Sequence, residues 1–151
     1  MHQRFERQVG IDATDPLVII QAADRQGEVP ALQRYLDDFQ QQRPEIIPVK
    51  TADRLVMIRT ADIVLADVQE TALLIYTAAG MTKTRETLRH LLQRLASDDF
   101  IQVSKHGVLN LNHLLSLEDS FSGNMTACLT NQLKTSVSRK YVKDLMKRLG
   151  I

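Results

Sequence analysis

The chain has 151 residues, 44% of them hydrophobic and 5% aromatic, enough for one domain with a small appendage and a mostly aliphatic core. The net charge of +1 hides an asymmetry: residues 1–75 carry 8 Lys/Arg and 12 Asp/Glu, residues 76–151 carry 11 and 6, so a basic working face is expected on the C-terminal part. A single cysteine, Cys128, excludes an internal disulfide and fits a reducing cytosol. The polar N-terminus excludes a signal peptide, and no apolar run approaches the roughly 20 residues of a membrane helix, so the expectation is a soluble, cytoplasmic protein.

In chain order, Phe5, Val9 and Ile11 alternate with polar residues or glycine, which predicts an edge strand. Leu17-Val18-Ile19-Ile20 behind Pro16 predicts a second. In VPALQRYLDDFQQQ, Leu32, Leu36 and Phe39 recur at helical spacing with Tyr35 beside them, and Pro44 ends the helix. Residues 1–43 thus read as a strand–strand–helix unit suited to packing or dimerisation. The expected division is an extension over 1–50, dimerising or regulatory, and a main domain over 51–151.

From Ile46 the pattern turns to strands. Residues 46–49, 55–58 and 63–68 are short, rich in β-branched residues and separated by polar turns. Gln69-Glu70-Thr71 reads as a hairpin tip, because Leu73–Thr77 resumes the sheet. Leu88, Leu91, Leu92 and Leu95 form the apolar stripe of a helix, with Thr84 as the expected N-cap. Two strands follow, Ile101–Val103 and Val108–Leu111, separated by the polar or small residues Ser104-Lys105-His106-Gly107. Loops carried on a rigid sheet are where binding chemistry commonly sits. Further strands are expected over 114–117, 125–129 and 133–137, with a turn over Ser120–Asn124. The final helix is capped by Ser138, turns Tyr141, Val142, Leu145, Met146 and Leu149 inward, and ends at Gly150.

Catalytic readings fail on spacing. The histidines (His2, His90, His106, His113) and Cys128 show no metal-ligand pattern, and the glycines form no phosphate loop, nucleophile elbow or dinucleotide fingerprint. Asp37-Asp38 and Asp98-Asp99 are most simply solvated, since acid–base pairs must converge in a cleft. Cys128, inside a strand, reads as a small core residue rather than a nucleophile. The expectation is a non-enzyme without metal or cofactor.

Binding is better supported. Lys134, Arg139, Lys140, Lys143, Lys147 and Arg148 are opposed by Asp144 alone over the last stretch. The simplest account is an amphipathic helix with a basic outer face. However, Ser138-Arg139-Lys140 sits at a strand-to-helix junction, where helix N–H groups suit a phosphate oxygen and arginine can read guanine bidentately. RNA is disfavoured because no paired aromatics on adjacent strands offer a stacking platform. A non-enzymatic oligomerising module whose basic face docks an acidic protein is the alternative.

The segment Phe100-Ile101-Gln102-Val103-Ser104-Lys105, followed by Val108-Leu109-Asn110-Leu111, resembles the signature F-[VI]-R-[IV]-[SH]-[RK]-S-x-[IV]-[IV]-N. Val137-Ser138-Arg139-Lys140-Tyr141 follows at the matching distance and looks like VSRRY. Both belong to the LytTR DNA-binding domain of bacterial transcriptional regulators. The resemblance runs from Leu55 to Leu149, including a strand entry at Asp62-Ile63 and a helix start at Thr87-Leu88.

The resemblance implies a mostly β (α+β), elongated LytTR-like fold with a core helix and a C-terminal helix, preceded here by a small strand–helix unit. It implies a regulator whose sheet-borne loops enter successive major grooves of double-stranded DNA at promoter direct repeats, as a homodimer or as paired monomers. By position, Ser104, Lys105 and His106 form one DNA-facing loop. Ser138, Arg139 and Lys140, with Lys143 on the following turn, form a second, and Gln69, Glu70 and Thr71 a third. Lys83 and Arg85 are expected at phosphate, and Asn110 is expected to brace the loop through backbone hydrogen bonds.

The chain departs from the family pattern at Gln102, where arginine is usual, and at His106, where serine is usual. Asn131-Gln132 replaces an Asn-Gly turn. Residues 1–54 carry no acidic pocket of a phospho-acceptor receiver, so the expected form is a short stand-alone regulator, controlled by a membrane-bound partner as in that subgroup.

Overall fold

The computed structural model describes residues 1–11, 16–40 and 44–151, and divides into two compact units, Met1–Gln42 and Arg43–Ile151. In the first unit the expected helix forms as α1 (Val29–Gln40), with Pro30 in its first turn, where a missing N–H costs nothing. Leu32 and Leu36 are half-buried, while Tyr35 and Phe39 are 68% and 77% exposed. The strands expected at Phe5–Ile11 and Leu17–Ile20 do not form among the described residues. Asp12 to Asp15 lie outside them. Apolar alternation alone does not make a strand without a neighbour to take its N–H and C=O groups. Here Phe5 and Ile19 stand 91% and 70% exposed, with no ladder beside them.

The second unit is built on a five-stranded antiparallel sheet. Its strands are β3 (Ile63–Gln69), β4 (Ala72–Thr77), β5 (Gly80–Thr84), β6 (Phe100–Gln102) and β7 (Gly107–Asn110), in the order β5-β4-β3-β7-β6. One face is covered by the ribbon β1 (Ile46–Lys50) and β2 (Leu55–Arg59) together with α2 (Leu88–Leu95). The other is covered by a three-stranded sheet, β8 (Leu114–Asp119), β9 (Met125–Leu129) and β10 (Lys134–Val137), with α3 (Arg139–Arg148). This is a mostly β, α+β architecture.

Two aliphatic cores result. Leu91 and Leu95 of α2 meet Ile47, Val49, Leu73 and Ile75 on one face. Leu109 meets Ala127, Leu129, Val137 and Leu145 on the other. Each fully buried leucine contributes on the order of 1.5–3 kcal/mol. The unbroken run Ile63-Val64-Leu65-Ala66 is explained by β3 being covered on both faces. A register irregularity between Ile63 and Leu65 turns Val64 and Leu65 to the same core, while Ile63 and Ala66 serve the other.

Several local expectations are corrected. The cap of α2 is Thr87, whose hydroxyl accepts from the His90 N–H at 3.1 Å. Thr84 instead closes β5 and donates its hydroxyl to the Lys50 carbonyl at 2.8 Å. Ser138 stands at the N-cap position of α3 without a side-chain cap bond. Leu149 is 38% exposed rather than inward, and Cys128 is half-buried in β9 rather than a core residue. β5, GMTKT, had no apolar pattern to announce it. It forms as an edge strand in register with β4, Leu73 opposite Thr84 and Thr77 opposite Gly80. Asn131 and Gln132 both take positive φ, 59° and 61°, completing a type I′-like turn without the usual glycine.

Candidate nucleic-acid interface

The β6–β7 loop is held from within and from both sides. Val103 N–H donates to the Gly107 carbonyl at 2.9 Å, and the Ser104 hydroxyl accepts from His106 N–H at 3.3 Å. Gln102 donates its side-chain amide to the Ser104 carbonyl at 3.0 Å. Gly107 is closely surrounded: a Cβ there would stand 3.0 Å from Ser104 Oγ, with Asp67 Oδ1 and Thr135 Oγ1 at 3.6 and 3.8 Å. Lys105 and His106 are left exposed at the tip and Ser104 is half-buried.

Backbone hydrogen bonds bring the other expected loops to this one. Val68 N–H donates to the His106 carbonyl at 2.8 Å, so the β3–β4 tip starts beside the β6–β7 loop. Gln69 pairs with Ala72 across that tip, Glu70 takes a positive φ of 55°, and Gln69, Glu70 and Thr71 are all exposed. On the opposite side Ser138 N–H donates to the Val103 carbonyl at 2.8 Å, seating the start of α3 against the same loop. Ser138 is half-buried there, and Arg139 and Lys140 are exposed. The Lys140 ammonium lies 5.7 Å from the centre of the Tyr141 ring. Lys143 follows Arg139 by four residues and therefore shares its helix face.

Lys83 and Arg85 lie at the end of β5 that faces the β3–β4 tip, since Leu73 pairs with Thr84. They line an open cleft of about 1000 Å³ with Thr71, Lys50 and Arg94. Arg94 is already engaged: its guanidinium donates to the Pro48 carbonyl and lies 2.9 Å from Glu86 Oε1, which also meets His90 Nδ1 at 2.8 Å. A rim of the fold thus runs from Lys83 and Arg85, through Gln69–Thr71 and Ser104–His106, to Ser138–Lys140. Along it the side chains are mostly exposed and the backbone is tied down.

One expected role changes, and one residue without an expected role acquires one. Asn110 is buried, 2% exposed, and does brace backbone, but not that of the loop. Its Nδ2 donates to the Ile63 carbonyl at 2.8 Å and its Oδ1 accepts from Asn112 N–H at 3.0 Å. His113 places its ring nitrogens 2.8 Å from Thr130 Oγ1 and 2.7 Å from the Ala61 carbonyl, which makes it a structural bridge. Among the described residues no group of three His, Cys, Asp or Glu side chains could hold a metal. No helix among them is long and apolar enough to cross a membrane.

The family model described as the LytTr DNA-binding domain matches residues 53–150. The chain belongs to the LytTR family. It is 31% identical over 109 residues to the sensory transduction protein LytT of Enterococcus faecalis, covering 72% of this chain and 45% of that protein. It is 28% identical over 120 residues to the sensory transduction protein LytR of Staphylococcus epidermidis, covering 78% and 48%. The chain therefore spans about half the length of these curated relatives. The fold matches the LytTr DNA-binding domain of a Bacillus cereus response regulator with a TM-score of 0.65, at 17% identity, over 72% of this chain and 99% of the other.

LytTR domains are DNA-binding regulatory modules and not catalysts. Within this LytTR domain, Gln102 stands where the family signature has arginine, and its amide is committed to the loop backbone. Residues that sequence reading missed as supports of the rim are Gln102, Gly123 and Asn124. Their partners are distant in sequence or are backbone atoms, and neither leaves a local pattern.

Proposed function

We propose that the chain is a sequence-specific double-stranded DNA-binding transcriptional regulator whose sheet-borne loops enter successive major grooves. The observation that carries this reading is the rim itself, on which exposed Lys105, Arg139 and Lys140 stand on backbone bonded across Val68–His106 and Val103–Ser138. Lys105, Lys140, Lys143, Lys83 and Arg85 supply salt-dependent affinity for phosphate. Arg139 supplies base readout, with contributions from His106, Ser104, Gln69, Glu70 and Thr71. A major groove about 12 Å wide admits such loops as well as a helix.

The protein works in the cytoplasm as a homodimer on promoter direct repeats, and a membrane-bound partner sets its activity. Association through residues 1–42 is supported by the exposure of Phe5, Leu17, Ile19 and Phe39 in that unit. The alternative, a protein-docking module with a basic face, rests on the same cations and separates in the same experiment.

The test is fluorescence-anisotropy binding to the chain's own upstream promoter DNA and to scrambled DNA over a salt series. Tight, salt-sensitive binding that prefers the promoter is expected. No binding at low salt would move the assignment to the docking module.

A further inference from the structure

We propose that the β8–β9 hairpin tip, Gly123-Asn124, is a positioning element that aims Arg139 at its base, an inference that rests on the DNA-binding reading. Arg139 opens α3, yet Ser138 before it provides no side-chain cap. Asn124, from the neighbouring hairpin, does so instead: its Oδ1 accepts from the Arg139 backbone N–H at 2.8 Å. The adjacent residue holds the side chain. Gly123 has a φ of +80°, and a Cβ built there would lie 3.0 Å from Arg139 Cδ and 3.2 Å from Cγ. The aliphatic stem of Arg139 therefore lies on bare glycine backbone.

Two consecutive residues thus fix both the peptide and the stem of one exposed arginine. The hairpin can hold them there because Met125 pairs with Val137, which sets Asn124 beside Ser138. Bidentate recognition of a base edge needs the guanidinium plane in one orientation, whereas a phosphate tolerates many. Displacing the stem therefore removes discrimination and leaves the charge. A glycine whose missing Cβ clears an arginine, rather than merely a turn, is a specificity device.

The test uses the full chain and a duplex site selected by the wild type from random DNA, against scrambled DNA. Gly123→Ala is expected to weaken binding to the selected site about tenfold, the scale of one bidentate contact, while scrambled binding stays within about twofold and the salt slope holds. Asn124→Ala should act in the same direction, and Asn124→Asp, which keeps an acceptor, should restore preference. Reselection with Gly123→Ala should relax the base position that Arg139→Ala relaxes, and no other. Equal losses on both DNAs, or none, would reduce the hairpin to a simple turn and overturn the proposal. Thermal melting of both variants shows whether each is folded, and Asn124→Ala, free of the positive-φ strain, carries the test if Gly123→Ala is not.

A wild type with no DNA preference would overturn the proposal along with the reading beneath it. A nuclear Overhauser contact between Gly123 Hα and the Arg139 Hγ or Hδ protons in the free protein tells the two failures apart. Its presence there would indict the DNA reading, and its absence the clamp.

Discussion

The N–H of Ser138 donates to the carbonyl of Val103 at 2.8 Å, tying the start of α3 to the strand end that carries Lys105. Two segments 35 residues apart in sequence are thereby set on one rim. On the proposed DNA-binding reading, this link would present both loops to one duplex already joined, sparing part of the ordering cost that opposes binding.

Lys105→Ala tests the phosphate role at the β6–β7 tip. The expected result is weaker binding to every duplex and a salt slope flattened by about one unit. An unchanged slope in the salt titration would remove Lys105 from the phosphate contacts.

Arg139→Ala separates base readout from charge. It should cost about 1–3 kcal/mol on the selected site and less on random DNA. Equal losses on the two would demote Arg139 to a backbone contact.

Gln102→Leu keeps the side-chain bulk and deletes the amide that bonds the Ser104 carbonyl at 3.0 Å. Loss of one such bond should lower stability by about 0.5–1.5 kcal/mol. Hydrogen exchange should quicken at Ser104 to His106 while the α2 amides keep their protection. Unchanged exchange in the loop would mean that Gln102 does not brace it.

Asn110→Leu deletes two backbone bonds from a site only 2% exposed. Leaving the Ile63 carbonyl without its partner should cost about 1–3 kcal/mol. A calorimetric melt unchanged from wild type would argue that water replaces the amide.

Thr87→Ala and Thr84→Ala distinguish cap from strand end. Thr87→Ala should destabilise by about 1 kcal/mol and fray the first turn of α2. Thr84→Ala should leave α2 intact and loosen the join to Lys50, whose carbonyl its hydroxyl now reaches. Amide exchange at Leu88 to His90 reads out the difference.

Much of the second unit was legible because its elements are driven by their own patterns. The leucine stripe of α2 and the short β-branched runs of β1–β4 fell where their periodicity placed them. The Ser104–His106 loop and the Arg139–Lys140 junction were visible as breaks in apolar ladders. The strands expected near Phe5 and Leu17 failed because a strand is stabilised by a neighbour, and no pattern within one segment supplies it. β5 was missed for the converse reason: an edge strand with a polar outer face needs only β4 beside it.

By itself the sequence determined the helices, most of the strands, the family and the cationic residues offered by its loops, because periodicity, turn residues and charge are local properties. The tertiary structure alone decided that Val68 meets His106, that Ser138 meets Val103, and that Asn124 and Gly123 cradle Arg139. Those contacts join residues far apart in the chain, the first two through backbone atoms common to every residue type and the third through an amide oxygen and an arginine stem that no neighbouring residue announces. No local pattern encodes them, and they appear only once two cores have packed the sheets together.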